Sequence, residues 1–580
     1  MSLTYHLSMD EAHTHYFDVE MKIANIKTDS IDIKMAGWTP GSYLVREYAR
    51  KVEAAKALNQ NDNKEIECKK VSKNTWRIYN KTAKNISFSY KVYSFEMTVR
   101  TSFLDTRHAF INGASVFMYI DNMQDLSSNI HIKPYGDWDA ISTALPAAKK
   151  DKWILQSPNF DVLVDSPIQI GKHKVVDFKA AKIPHRLAII GEGNFDESKM
   201  VEDITKIAEA CTDIFGTNPC EDEGYTFLLH NTDNNFGGLE HSFSTSLIYP
   251  RWSYKPDFKY VRWLGLVAHE YFHLWNIKRI RPAALASFDY ERENYTTLLW
   301  VAEGVTSYYD DYLLRRAALV DDKKYLGMLA KNITNHENRP GKKVQCLAES
   351  SFDAWIKYYR NDENSNNCCV SYYLKGSIVA AMLDLELRKL TDGKKSLDDV
   401  MRLLYNDFYL EKQTGFTDAE FRAACNSVGG QNMDAFFDEY VNDVKPIDYN
   451  KYLGYVGLKI TNKNADSKRL SLDINTKDDK GKLLVRIVKR GGAAYEAGIN
   501  VHDELIAIDG YRIKNKSNIA VLLERYKVGD NINVTISREG KLQDISVALL
   551  PNTSFKYVIE KLEEQTATQK RLYDGWMFLK

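Results

Sequence analysis

Apolar and polar residues alternate with period two over residues 17–23 (FDVEMKI) and 86–93 (ISFSYKVY), the spacing that buries one face of a strand and wets the other. Pro40, Gly41 and clusters of Asn and Asp punctuate these runs, as turn residues do. Residues 1–168 are therefore read as a β-rich domain, an antiparallel sandwich. The pattern then changes. Strand-like runs at 186–190 and 225–229 give way to helical spacing, the longest stretch passing through Ile378, Met382, Leu383 and Leu387. Strands followed by a run of helices predict a mainly helical α+β domain over 169–445. Residues 361–367 (NDENSNN) are polar throughout and read as a surface loop or as the border of a cleft. From 446 the elements shorten: a strand at 483–488, a short helix within 491–498 closed by glycine, strand and turn over 503–510, a helix at 517–526 and a closing strand at 532–537. That module ends near 551. Residues 552–580 form a tail with a charged helical stretch at 559–572, and Trp576 and Phe578 are its expected docking residues. The fold class is multidomain α+β.

Chemistry enters at His269-Glu270-Tyr271-Phe272-His273. On a helix, residues i and i+4 share a face, so both histidines can reach one metal ion with Glu270 beside it as a candidate base. A catalytic zinc needs a third protein ligand and an open position. Glu303 lies in an apolar run, WVAEGV, where a lone acid is costly to bury without a partner. Zinc is one such partner; Arg279 or Arg281 is the other. Upstream, Gly237-Gly238-Leu239-Glu240-His241 sits between two strand-like runs. Paired glycines let a substrate backbone approach a sheet edge, and Glu240 offers a carboxylate to a cationic amine; an ordinary glycine turn is the alternative. Tyr373, in SYYLKG at the start of the longest helical stretch, can donate its phenolic hydrogen to an oxyanion or simply pack.

Taken together, GGLEH, HEYFHLW, WVAEG and SYYLKG resemble the glutamate-zincin (gluzincin) clan that contains aminopeptidase N. The chain is more closely similar to the PDZ-containing glycyl-aminopeptidase family, whose pattern also matches WTPGSY with REYAR at residues 38–50 and NIKRIRP at 276–282. The resemblance runs from about residue 5 to the C-terminus. It implies an N-terminal β-sandwich, a thermolysin-like catalytic domain and a PDZ domain over 446–551. It further implies one Zn2+ per chain bound by His269, His273 and Glu303, with Glu270 as general base and Tyr373 stabilising the tetrahedral intermediate. Glu240 would anchor the substrate's free amino terminus beside Gly237 and Gly238. Two departures stand out. Glu303 follows His273 by 30 residues, a longer step than in aminopeptidase N, so a loop around 288–294 must be accommodated. Leu239 and His241 also replace the Met and Asn that flank the anchoring acid there.

Composition narrows the alternatives. In 580 residues, 78 Lys and Arg balance 78 Asp and Glu, so no net field points to nucleic acid or an anionic membrane. No run reaches the ~18 apolar residues of a membrane span. Seven cysteines at irregular spacing, one pair adjacent, show no disulfide framework and point to a reducing compartment. The first ten residues lack a basic segment followed by an apolar core, so no signal peptide is read and a cytoplasmic location is expected, although a start in Met-Ser-Leu is also what a removed leader would leave.

The expected function is a zinc aminopeptidase taking a small first residue, Gly or Ala, from peptides. A zinc endopeptidase with PDZ-guided substrate capture is the second reading, and an inactive PDZ scaffold the third. The PDZ domain is expected either to bind C-terminal peptides, with its carboxylate loop within residues 452–457, or to serve as a structural module.

Overall fold

In the computed structural model, residues 1–81, 83–467 and 469–578 are described. Both alternating segments are strands, Tyr16–Ala24 and Ile86–Tyr93, and they pair with each other, Phe17 opposite Val92 and Ile23 opposite Ile86. Their inward residues (Phe17, Val19, Met21 and Ile23; Ile86, Phe88, Tyr90 and Val92) are buried in one core. These strands belong to an eight-stranded sheet, accompanied by two four-stranded sheets. Pairing in the large sheet is antiparallel except at Ser2–Ser8, which runs parallel to Ser128–Lys133. The chain between them is long enough to return in the same direction, which a hairpin cannot do.

Two compact units partition the chain: residues 1–295 with 309–319 and 401–417, and residues 296–308 with 320–400 and 418–580. The first contains the β-rich region and a five-stranded sheet in which Gly237–Glu240 is an edge strand against Ser244–Pro250. Helix Glu197–Phe215 packs nearby; Asp196 caps it by accepting from Lys199 N–H, and Gly216 ends it in the left-handed region. Helix Asp257–Phe272 carries the HExxH residues.

In the second unit the central element is Tyr372–Leu390, capped by Ser371, whose side chain accepts from Leu374 N–H. The helical stretch Ser365–Leu390 is long and apolar enough to cross a membrane by length and composition only, and 83% of its apolar window is buried inside the protein. A helix apolar on all sides is what the middle of a large helical core requires. Its buried acid, Asp384, is neutralised by Arg388 one turn on (2.9 Å) and accepts from Tyr308 (2.7 Å).

The PDZ strands form a separate sheet with its own core, Ile474–Asp479 at a free edge. Residues 452–457 do not supply its carboxylate loop. They close helix Tyr449–Gly454, and the following strand Leu458–Asn462 pairs outside the PDZ sheet with Tyr557–Lys561. The Gly457 carbonyl accepts from Leu562 N–H (2.9 Å) and Gln565 Nε2 (2.8 Å). The tail therefore differs from the expected helix over 559–572: Tyr557–Lys561 is a strand because a partner strand waits for it, and the helix begins later, Ala567–Trp576, behind a Thr566/Gln569 capping box. Trp576 is fully buried, its ring edge-on to Tyr325 and its N–H on the Tyr308 hydroxyl, whereas Phe578 stays exposed. The polar segment 361–367 holds the PDZ module. Asn367, buried, donates to Val488 O (2.8 Å) and accepts from Arg490 N–H (2.9 Å).

Candidate active site

Helix Asp257–Phe272 delivers His269 and Glu270 in its last turn, and His273 is the C-cap residue. His273 keeps a right-handed helical backbone (φ −59°, ψ −18°), so the i, i+4 spacing survives the helix end. The two imidazoles lie 4.6 Å apart, nearly perpendicular. Each ring is held through Nδ1, His269 by Asp310 Oδ2 at 3.0 Å and His273 by the Asn276 carbonyl at 2.8 Å. A carbonyl only accepts, so His273 carries its proton on Nδ1 and turns the Nε2 lone pair outward; the Asp310 carboxylate selects the same tautomer at His269. The Asp310 partner is not legible in the sequence, since it is 41 residues from His269.

The edge strand Gly237–Glu240 passes directly over Glu270. A Cβ on Gly238 would stand 2.0 Å from Glu270 Oε1, while one on Gly237 would meet nothing closer than Arg100 Nη1 at 3.6 Å. Gly238 is thus a place where only a backbone fits. Glu240 is buried (5% exposed), and Leu239 packs into Val99 and Ile248. The segment WTPGSY reaches this strand: Gly41, at φ +83°, lies so close that a Cβ there would be 2.6 Å from Glu240 Oε1. Residues 37–50 are fixed in turn against the loop that lengthens the step to Glu303. Trp38 Nε1 donates to Asp289 O (2.8 Å), Gly37 N–H to Tyr290 O (2.7 Å), and the Trp38 ring meets Phe288 edge-on and Tyr290 at a tilt. The inserted loop is therefore accommodated as the seat of the WTPG turn.

Behind Glu240 sits a charged hub that sequence reasoning missed. Asp165 accepts from Lys278 Nζ (2.7 Å), from Ser242 N–H and Oγ (3.0 and 2.6 Å), and contacts His241 Nδ1 (3.2 Å). Burial alone would raise the Asp165 pKa, but Lys278 and His241 outweigh it and hold the carboxyl far below its usual range. The hub ties the residue after Glu240 to the segment after His273.

Glu303 lies in a π-helical turn, Trp300–Val305, that leads without a break into helix Thr306–Arg316. Such turns frequently mark functional sites. Its neighbour Gly304 crosses Gly376 of the central helix so closely that a Cβ on either would come within 2.8 Å of the other's Cα. The glycines ending WVAEG and SYYLKG are thus the two halves of one contact, and they bring Glu303 within electrostatic range of Tyr372 and Tyr373. Burial, and then the charge of Glu303, push the Tyr373 pKa well above its usual value, so the phenol stays protonated. Tyr359, absent from the sequence prediction, shares hydrogen bonds with both Tyr373 (3.1 Å) and Tyr372 (3.2 Å).

Among the described residues of the first unit, Glu240, Glu270 and His273 form a group of candidate ligands with their ligand atoms within 4.8 Å of one another. Two imidazoles with Nδ1 engaged and one carboxylate are a donor set that suits catalytic zinc. Arg279 and Arg281, the alternative partners considered for Glu303, bond backbone carbonyls instead.

Three regions match family models: residues 4–172 the Peptidase M61 N-terminal domain, 262–379 the M61 glycyl aminopeptidase and 459–549 the PDZ domain. The solved structure of an aminopeptidase N family protein from Idiomarina loihiensis is 30% identical, with a TM-score of 0.91, covering 99% of this chain and 100% of that one. An M1 zinc metallopeptidase from Deinococcus radiodurans is far more remote, 12% identical at a TM-score of 0.45, over 76% of this chain and 93% of its own. A serine protease Do-like HtrA from Lactobacillus helveticus is 34% identical over 84 residues, which span 14% of this chain and only 20% of that protein.

Proposed function

Because the chain belongs to the M61 glycyl aminopeptidase family, whose model and full-length structural relative it matches, we propose that it removes a small N-terminal residue, glycine or alanine, from peptides. In this reading one zinc ion per chain is held by His269, His273 and Glu303. The resemblance implies this set, and the helix itself supports it. Glu303 precedes Asp310, the partner of His269, by seven positions on one continuous helical run, about two turns and so one face.

Bound there, zinc would supply the Lewis acidity that lowers the pKa of a water and polarises a substrate carbonyl. Glu270 takes the water's proton and hands it to the leaving amine. Tyr373, protonated, donates to the oxyanion as charge develops, an interaction strongest in the transition state. The edge strand at Gly237 and Gly238 lets the substrate backbone lie alongside. Glu240 pairs with the α-ammonium and so sets which peptide bond meets Glu270. The observation that carries the proposal is the pair of buried carboxylates, Glu240 and Glu270, grouped with His273 within 4.8 Å. The buried carboxylate of Glu240 suits the α-ammonium of a substrate's free amino terminus, a cation that an endopeptidase substrate lacks.

The test compares kcat/KM for free and N-acetylated forms of one peptide in wild type and Glu240→Ala. A lost charge-assisted contact of ~1.5–3 kcal/mol should lower the free-amine rate roughly ten- to a hundred-fold while sparing the N-blocked one. An unchanged ratio removes Glu240 as anchor and favours the endopeptidase reading. The PDZ module, with its open edge strand Ile474–Asp479, suits C-terminal peptides added as a further strand. The balanced charge gives no support to a nucleic-acid partner.

A further inference from the structure

Beside the HExxH helix, but outside the site above, a cavity of about 300 Å³ opens between residues 278–286 and residues 409–415. Its charged lining is all of one sign: Lys278, Arg279 and Arg281. Lys278 has its counter-ion in Asp165. The two arginines have none; among the described residues no carboxylate lies within ion-pair distance of either. Arg279, only 5% exposed, gives Nη1 to the carbonyls of Ser242 (2.8 Å) and Leu274 (3.1 Å). Arg281 gives Nε and Nη2 to the Lys278 carbonyl (3.1 and 2.7 Å). A guanidinium has five N–H donors, so each arginine keeps donors beyond the two hydrogen bonds it makes to backbone carbonyls. Gln413 and Thr414 add uncharged polar groups to the wall.

Burying cations without an anion is costly. Burial, and then repulsion from Arg279 set against the attraction of Asp165 and Asp161, depress the Arg281 pKa; the two acids do not compensate the site fully. The cavity exceeds the volume of one water by far and is roomy enough for a phosphate or a carboxylate with its substituent.

We propose that this cavity is a binding site for a small oxyanion, a phosphate or carboxylate group, received by Arg281 and Arg279 with Gln413 and Thr414 at its rim. The geometry gives such an anion a route to the HExxH residues. Residues 276–281 hold His273 through the Asn276 carbonyl, and Lys278 N–H bonds the His273 carbonyl (3.2 Å). An anion drawing the arginines together therefore stiffens the segment that orients one imidazole. The inference does not depend on the peptidase reading, since binding is measurable without turnover.

The experiment titrates the full-length protein with inorganic phosphate by calorimetry and thermal shift, at ionic strength held constant with sodium chloride. A parallel arm uses an N-acetylated tripeptide with a free or an amidated C-terminus. Two variants accompany the wild type. Arg281→Gln removes a donor, and Gln413→Glu, at an exposed position of the wall, leaves both arginines in place but supplies a competing carboxylate. Saturable binding by wild type, weakened ~10-fold or more in both variants as expected for a lost charge-assisted contact, supports the site. Phosphate binding identifies a free phosphate or phosphate ester as the ligand class, and binding of only the free-carboxylate tripeptide identifies a peptide tail. No saturable binding by either probe, or binding unchanged in both variants, overturns it.

Discussion

Alanine at Gly238 and alanine at Gly237 should have very different consequences, although the residues are adjacent on one edge strand. Neither glycine has a positive φ, so alanine suits the backbone at both and slightly favours folding through the unfolded chain. What differs is the space. At Gly237 the new methyl meets only Arg100 Nη1 at 3.6 Å, an ordinary contact. At Gly238 it would stand 2.0 Å from Oε1 and 2.2 Å from Cδ of Glu270. Restoring contact near 3.4 Å requires the carboxylate to retreat by about 1.4 Å, and a misplacement of ~1 Å costs on the order of 10²-fold in rate. With the proton transfer also mispositioned, kcat for Gly238→Ala should fall ~10²–10⁴-fold, while Gly237→Ala stays within about threefold of wild type. The assay is steady-state hydrolysis of a free-amine dipeptide, with zinc content measured on the same samples, because the imidazoles are untouched and metal should be retained in both variants. A Gly238→Ala enzyme of near-normal kcat would refute the reasoning, since Glu270 would then tolerate displacement that a general base cannot. Loss of zinc together with rate would instead show that the strand supports the metal ligands.

Replacing Asp310 by Ala removes the acceptor of His269 Nδ1 and should weaken zinc affinity ~10–100-fold, read by competition with a chelator; unchanged affinity would mean that the ring is oriented by packing alone. Burial holds His185 and His336 near pKa 4 in the fold. The unfolded chain thus binds protons below pH ~6.5 that the native protein refuses, and stability should drop by roughly 1.4 kcal/mol per pH unit per histidine between pH 6.5 and 4. Thermal denaturation across that range should be less steep for His185→Gln, and an identical slope would contradict the assignment. Excising residues 464–555 and bridging Lys463 to Lys556 with a short linker, their backbones being already hydrogen-bonded, should leave a folded enzyme with normal rates on dipeptides. Slower cleavage of long peptides would mark the PDZ module as a recruiter, and equal rates at all lengths would sink that idea.

Much of the candidate site could be read from residue order because its chemistry is local. His269, Glu270 and His273 share one helical turn, and the 3.6-residue period fixes their relation whatever the rest of the chain does. Period-two alternation likewise announced the strands at 16–24 and 86–93, where one face meets the core and the other water. The glycines of GGLE, WVAEG and SYYLKG were visible as letters, but their uses were not. Gly238 yields to a carboxylate 32 residues away and Gly304 to a helix 72 residues away.

The misses share one cause. Asp310 on His269, Asp165 on Lys278, Gly41 against Glu240 and Tyr359 on Tyr373 are contacts whose partners carry no mutual signal in composition or period. Residues 557–561 show it most clearly. By local pattern a charged helix begins at 559, yet Leu458–Asn462, about a hundred residues upstream, offers an unpaired backbone edge, and buried N–H and C=O groups must be paired. Sequence by itself determined the element types with strong periodicity, the spacing of His269 and His273 and the acids available to serve them. Tertiary structure alone decided which tautomer each histidine adopts, which glycine faces the base and which strand completes which sheet. Those outcomes depend on groups that meet only after the chain has closed loops tens to hundreds of residues long, and no local preference encodes the closure.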